Sequence, residues 1–138
     1  MRRLSSKALG EAAEARFLDV AVFLGLIVAK LWGDSRPFDF YVAPNESKSP
    51  YRVQVKATRA KKGRGYFLNC KHNTSQVPYT SKEIDFIAAY VVPLELWYII
   101  PVKAVRNKVA VVVYPNGNRS GERCTYERYR ENWNLLRR

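Results

Sequence analysis

Histidine and cysteine are scarce in this chain: His72 is the one histidine, and Cys70 and Cys124 are the two cysteines, in 138 residues. The cysteines have neither CxxC spacing nor a histidine cluster beside them. They offer no thiolate metal framework and read as reduced thiols of an intracellular protein. Long apolar runs are also missing. The uninterrupted stretch Val20 to Ala29 is ten residues, and Glu11, Glu14 and Asp19 break up what precedes it, which argues against an export signal and a membrane span. No internal repeat, low-complexity tract or linker divides the chain, so a single domain over 1–138 is expected. Acids are the last shortage: 12 Asp and Glu stand against 24 Lys and Arg, leaving +12.

What is present is enough for a core, with 47% hydrophobic residues and 13% aromatics. The positive charge is uneven. From Glu46 to Lys71 eight bases face the single acid Glu46, a local balance of +7. Such a segment attracts polyanions at long range and gains affinity by releasing counterions from phosphate, which makes nucleic acid the economical partner.

Ser5 or Ser6 can cap a helix running to about Leu24, ended by Gly25. Leu9, Ala13, Phe17, Val20 and Leu24 form one apolar stripe, and Ala15, Leu18 and Val22 a second with Glu11 at its head. The pattern predicts a helix buried on two sides, with Glu14 toward an edge. Two readings stand for Glu11: a carboxylate in line with a buried stripe that needs a cation or metal, or a partner for Lys7 in the first turn.

Strands are expected at Leu26 to Trp32, Pro37 to Ala43, Tyr51 to Thr58, Gly65 to Cys70, Asp85 to Val92, Leu96 to Val102 and Val109 to Tyr114. Gly33 to Arg36, Asn45 to Pro50, Lys61 to Arg64, Pro93 to Glu95 and Asn116-Gly117 read as turns or exposed connections, and Lys71 to Tyr79 as a polar loop. Thr80 and Glu83 have the spacing of a capping box. From about Thr125 the stripe Tyr126, Tyr129, Trp133 and Leu136 predicts a final helix that docks on the sheet; at that spacing its aromatics read as core rather than as base-stacking residues. The sum is α/β: one mixed central sheet flanked by an N-terminal and a C-terminal helix.

Within Tyr51 to Thr58 two polar side chains, Gln54 and Lys56, share one face while Val53, Val55 and Ala57 take the other. Pro37 to Val42 carries one carboxylate, Asp39, among apolar neighbours. Phosphodiester hydrolysis needs a neutralised anion, an activated water and a cation near the developing charge. Asp39 suits a hard Mg²⁺ ion, with the Gln54 side-chain oxygen and the Val55 carbonyl completing the set and Lys56 orienting the water. Glu11 approaches from the helix. Each has a plainer role open to it: a turn for Asp39, a cross-strand bond for Gln54, an edge position for Lys56. Their coincidence beside a +7 segment favours the site.

The order Gly10-Glu11, Asp39, Gln54-Val55-Lys56 resembles the PD-(D/E)xK nuclease superfamily, the restriction-endonuclease-like fold. The runs Gly33 to Asp39, Tyr51 to Lys56, Glu83-Ile84-Asp85 and Tyr98 to Val102 are similar to its small members that include bacterial group I intron homing endonucleases. The resemblance covers roughly Lys7 to Val105. It implies Mg²⁺-dependent cleavage of duplex DNA, with Mn²⁺ as substitute, a site of Glu11, Asp39, Gln54 and Lys56, and assembly as a homodimer or homotetramer in the cytoplasm, on the nucleoid when DNA is bound. Gln54 replaces the acid usual in the superfamily but not in the homing-endonuclease-like group. DNA contacts are expected from Arg59, Lys61, Lys62, Arg64, Lys71 and His72. The alternatives are a DNA-binding protein on the same fold without hydrolysis, and a basic RNA-associated protein.

Overall fold

The computed structural model describes residues 3–33, 35–72, 75–117 and 124–138. Asp34, in the expected Gly33 to Arg36 turn, and Asn73 and Thr74, in the expected Lys71 to Tyr79 loop, lie outside the described residues. Helix α1 is Ser6–Phe23, and the Ser5 side chain accepts from the Ala8 N–H at its start. Gly25, at φ +80, ends it: Leu26 N donates to the Ala21 carbonyl and Gly25 N to that of Val22. This is the double closure that a left-handed residue makes possible.

The helix buries one side, not two. Ala13, Phe17 and Ala21 are buried, whereas Glu11 and Ala15 are exposed and so are Leu18 and Val22. The sheet and the C-terminal Trp133 pack against the same side of α1, and the second stripe with Glu11 at its head is exposed.

Strands β1 (Ile27–Lys30), β2 (Phe40–Ala43) and β3 (Tyr51–Thr58) are joined antiparallel in order. Then come β4 (Lys61–Lys62), β5 (Gly65–Asn69), β6 (Phe86–Val91), β7 (Leu96–Pro101) and β8 (Ala110–Val113). They form two sheets rather than the one expected: β1-β2-β3-β6-β7, mixed because β3 and β6 run parallel, and β4-β5-β8. Lys61–Lys62 belongs to a hairpin, with Lys62 paired to Gly65. A Cβ on Gly65 would lie 2.6 Å from the Val113 carbonyl oxygen, so the close approach of β5 to β8 depends on glycine.

The large sheet therefore has two covered faces. Toward α1 lie Val53, Val55, Ala88, Trp97 and Ile99, with Phe17 at the centre, stacked on Phe40 at 5.3 Å and edge-on to Trp97 at 5.7 Å. Toward the small sheet lie Ile87, Ala89, Val91 and Ile100 against Tyr66, Leu68, Val111 and Val113.

The C-terminal helix is two 3₁₀ segments, Glu127–Tyr129 and Trp133–Arg137, instead of one α-helix. Glu131, at φ +48, separates them because it serves edge strand β7: its N–H donates to the Trp97 carbonyl (2.7 Å) and its carboxylate accepts from the Trp97 N–H (2.7 Å). Glu127 accepts from the Tyr98 hydroxyl. This segment covers the β7 edge, and Tyr126 and Trp133 are core, as their spacing suggested.

The start of β3 is clamped to the start of β6. Arg52 donates to Asp85 from its backbone N–H (2.7 Å), Nε (3.1 Å) and Nη2 (3.0 Å), and also to the Ser81 and Lys82 carbonyls. Burial pushes the Asp85 carboxyl up, but the Arg52 guanidinium and N–H outweigh it and hold it below the usual range. A depressed acid stabilises the fold above its unfolded pKa of about 3.9 and loses that contribution as pH falls through the folded value. Asp85→Asn should cost about 2 kcal/mol at neutral pH, and the gap to the parent should close as pH falls below about 4. Thermal melts of both proteins across that range check this; a gap independent of pH would remove the charge from the account.

Candidate active site

Asp39 sits where β2 leaves β3. Its N–H donates to the Val53 carbonyl (2.9 Å), the last backbone bond in that direction before β3 runs on beside β6 alone. The next β3 donor facing the gap, the Val55 N–H, is taken by the Asp39 carboxylate at 2.8 Å. A side chain thus stands in for the missing strand and is held at the edge of the gap. The Val55 carbonyl faces the same gap and accepts from Gln54 Nε2 at 3.5 Å, the outer limit of a hydrogen bond.

Helix α1 brings Glu14 to this point. Glu14 is half-buried and borders the same clefts as Asp39, close enough for the two carboxyls to act on each other's titration. Burial, then the Asp39 charge, push the Glu14 carboxyl up, against Lys30. Burial also raises Asp39, opposed by the Val55 N–H, Lys56 and Lys30. Two acids this close hold a proton more readily than either would alone. Glu11, one turn earlier, is exposed and borders the same space.

Lys56 is 9% exposed, on the sheet face opposite α1. Its ammonium donates to the Lys71 carbonyl (3.2 Å) and lies 5.3 Å from the centre of the Tyr79 ring. Burial pulls its pKa down, and the Asp39 charge works the other way.

Two open clefts, of about 880 and 940 Å³, meet at Glu11, Glu14, Asp39 and Gln54. The first continues to Arg3, Lys7 and Arg59, the second to Lys30, Trp32 and Arg36. The carboxylates therefore stand at the join of a groove with cations along both arms, a layout suited to a phosphate backbone.

The structure brings Asp39, Gln54, Lys56 and Glu11 to one cleft, and adds Glu14. Glu14 was legible: Gly10, Glu14, Phe17 and Ala21 are a helical stripe in their own right. Lys30 and Arg36, also missed, have no sequence signal, since it is the fold of 30–39 that turns them to the cleft.

Of the expected DNA contacts, Arg59 lines the cleft but is tied to the Leu4 carbonyl (2.8 Å), and Lys61, Lys62 and Arg64 are exposed on the β4–β5 hairpin. Lys71 is half-buried. His72 Nε2 lies 2.8 Å from Glu83 and its ring packs tilted against that of Tyr79, centroids 4.3 Å apart.

Among the described residues no three His, Cys, Asp or Glu side chains gather into a metal cage. The donors at the gap are two carboxyls, an amide and a backbone carbonyl, a hard all-oxygen set that fits a divalent cation retaining several waters. Among the described residues no helix is long and apolar enough to cross a membrane.

A family model for the PD-(D/E)XK endonucleases matches residues 4–136. No curated protein matches the chain. Among solved structures, that of a bacterial homing endonuclease, I-Ssp6803I, superposes with a TM-score of 0.78 at 26% identity, covering 97% of this chain and 92% of that one. The family generally uses divalent metal ions, in keeping with the oxygen donors at the β2–β3 gap. A match that runs through the helix, both sheets and the C-terminal segment supports nuclease function, and the chain belongs to the PD-(D/E)XK endonuclease family.

Proposed function

We propose that this protein is a Mg²⁺-dependent endodeoxyribonuclease that hydrolyses phosphodiester bonds of duplex DNA, with Mn²⁺ able to replace Mg²⁺. The observation that carries the reading is the Asp39 carboxylate, fixed by the Val55 N–H and beside Glu14, at the join of two cation-lined clefts. Asp39, the Gln54 side-chain oxygen and the Val55 carbonyl would hold the ion, with Glu14 and, from the rim, Glu11 as the helix carboxylates. When bound, it supplies charge neutralisation at the phosphate and a water of lowered pKa. Lys56, on the strand that carries Gln54, orients the attacking water and compensates developing charge. Arg59, Lys61, Lys62, Arg64, Lys71 and the cleft cations Lys7, Lys30 and Arg36 bind backbone phosphates.

One such site cuts one strand, so a double-strand break calls for two copies, as a homodimer or a homotetramer. The hairpin around Leu94 to Tyr98, exposed at Leu94 and buried at Trp97 and Tyr98, and the C-terminal segment are the candidate contacts. Sedimentation at micromolar concentration should show at least a dimer; a monomer cutting both strands together would defeat this.

Replacing Lys61, Lys62 and Arg64 by Ala should flatten the log–log salt dependence of duplex binding by roughly two to three units. An unchanged slope would move the DNA to another face.

Single-turnover cleavage, with binding measured in Ca²⁺, tests the chemistry. Asp39→Ala and Lys56→Ala should each slow cleavage roughly a hundredfold or more while DNA binding holds. Glu14→Gln should cost more than Glu11→Gln; the reverse would make Glu11 the helix ligand. Gln54→Glu should lower the Mg²⁺ needed. Cleavage persisting in both alanine variants would place the site elsewhere, and binding without cleavage by any form would leave a DNA-binding protein on a nuclease fold.

A further inference from the structure

Lys56 does not stand alone on its face of the sheet. The stretch Cys70 to His72 pairs with Val77 to Tyr79: Tyr79 N donates to the Cys70 carbonyl (3.3 Å) and His72 N to that of Val77 (2.9 Å). This pairing sets the Lys71 carbonyl at 3.2 Å from the Lys56 ammonium and the Tyr79 ring at 5.3 Å. Tyr79 is buried, with 5% of its surface exposed, and the His72 ring packs tilted against it at 4.3 Å. His72 is in turn paired with Glu83 (2.8 Å), and the other Glu83 oxygen accepts from the N–H and hydroxyl of Thr80 (both 3.1 Å). A string of contacts therefore runs from a capped turn through His72 and Tyr79 to the lysine.

The geometry points to Tyr79 as a positioning residue for Lys56, its ring holding the ammonium over the cleft and His72 with Glu83 bracing the ring from behind. The inference rests on the nuclease reading above, in which Lys56 acts at the water. A lysine has four rotatable side-chain bonds and a strongly hydrated head, so it points one way only where its surroundings fix it. A ring face within about 6 Å attracts a cation, more so where water is excluded. Burial holds the Tyr79 hydroxyl well above its ordinary pKa, so the ring stays a neutral π surface. The same contacts give His72 an internal task in place of the DNA contact its loop position suggested.

The test measures the single-turnover cleavage rate in Mg²⁺ and, separately, duplex affinity in Ca²⁺. Tyr79→Leu should slow cleavage about tenfold or more with affinity within about twofold, because a displaced catalytic group costs rate rather than binding. Tyr79→Phe, which keeps the ring, should restore the rate to within about threefold of the parent. On a Lys56→Ala background Tyr79→Leu should add little, since two residues acting as one unit are not additive. If Tyr79→Leu melts before assay, His72→Ala carries the same test, with a several-fold loss of rate at unchanged affinity.

Full activity in Tyr79→Leu, an equal defect in Tyr79→Phe, or an undiminished loss on the Lys56→Ala background would each overturn the positioning role while leaving Lys56 in place. A parent-like rate in Lys56→Ala itself would instead overturn the nuclease reading. A loss of duplex affinity in His72→Ala as large as the loss of rate would return His72 to the DNA surface and remove it from the brace.

Discussion

The site depends on one substitution of partners: the Asp39 carboxylate takes the Val55 N–H that β2 would have taken had it continued along β3. A strand edge with unpaired donors is costly when covered and adhesive when open. Here the covering group is an acid, so closing the edge also plants a charge at a fixed place. The chain before Asp39 is then free to swing away, which opens the cleft that Lys30, Trp32 and Arg36 line. An amide in place of Asp39 would keep the hydrogen bond but not the charge, so the ladder and the chemistry are separable in principle.

Because β3 has cover on both faces, Lys56 passes through an interior rather than over a surface, and Gln54 is half-buried. Lys56 lies beside Cys70 and Tyr79 in the layer between the sheets, and burial shows in all three: the lysine is pulled down in pKa, the thiol pushed up to about 11 and the phenol pushed up. Asp39 and Glu14 are raised for the same first reason. An isolated buried charge would be intolerable, but acids on one side of the strand and an ammonium on the other moderate each other. Their mutual field is strong because water is partly excluded, and it is what a phosphate and a cation would meet.

How much of this the sequence shows depends on whether the cause is local. The alternation in Tyr51 to Thr58 is a property of one strand, and it sets Gln54 and Lys56 apart from Val53 and Val55 without reference to any other element. The same holds for the Ser5 cap and the Gly25 stop of α1. What failed depended on partners. Two apolar stripes on α1 imply two buried sides only if both are covered, and the sheet and Trp133 both lie against the side that carries Phe17. Glu14 reads as an edge residue beside the stripe that Glu11 heads, although Gly10, Glu14 and Phe17 are equally regular; a carboxylate in such a stripe is legible as buried only when an acid or cation is known to await it. The division into two sheets follows from β5 pairing with β8 across more than forty residues, a non-local choice that periodicity does not record. The final segment has the spacing of a helix, yet Glu131 breaks it to serve the β7 edge.

The charge balance makes sense last. A chain of +12 draws DNA along any face, and attraction alone would not select the cleft. The two acids at the join repel phosphate unless a cation lies between, so productive approach and metal occupancy become a single condition. Under the proposed function, long-range attraction from the hairpin and the cleft cations would set how often DNA arrives, and the acid pair would hold the reaction back until a cation reverses the charge there. With Gln54 as a metal ligand, its neutral oxygen in place of a third carboxylate would lessen that repulsion at the cost of a weaker hold on the ion. In a site where the Asp39 charge already raises Glu14's hold on a proton, a third carboxylate would raise that repulsion further, which gives the amide a physical reason of its own.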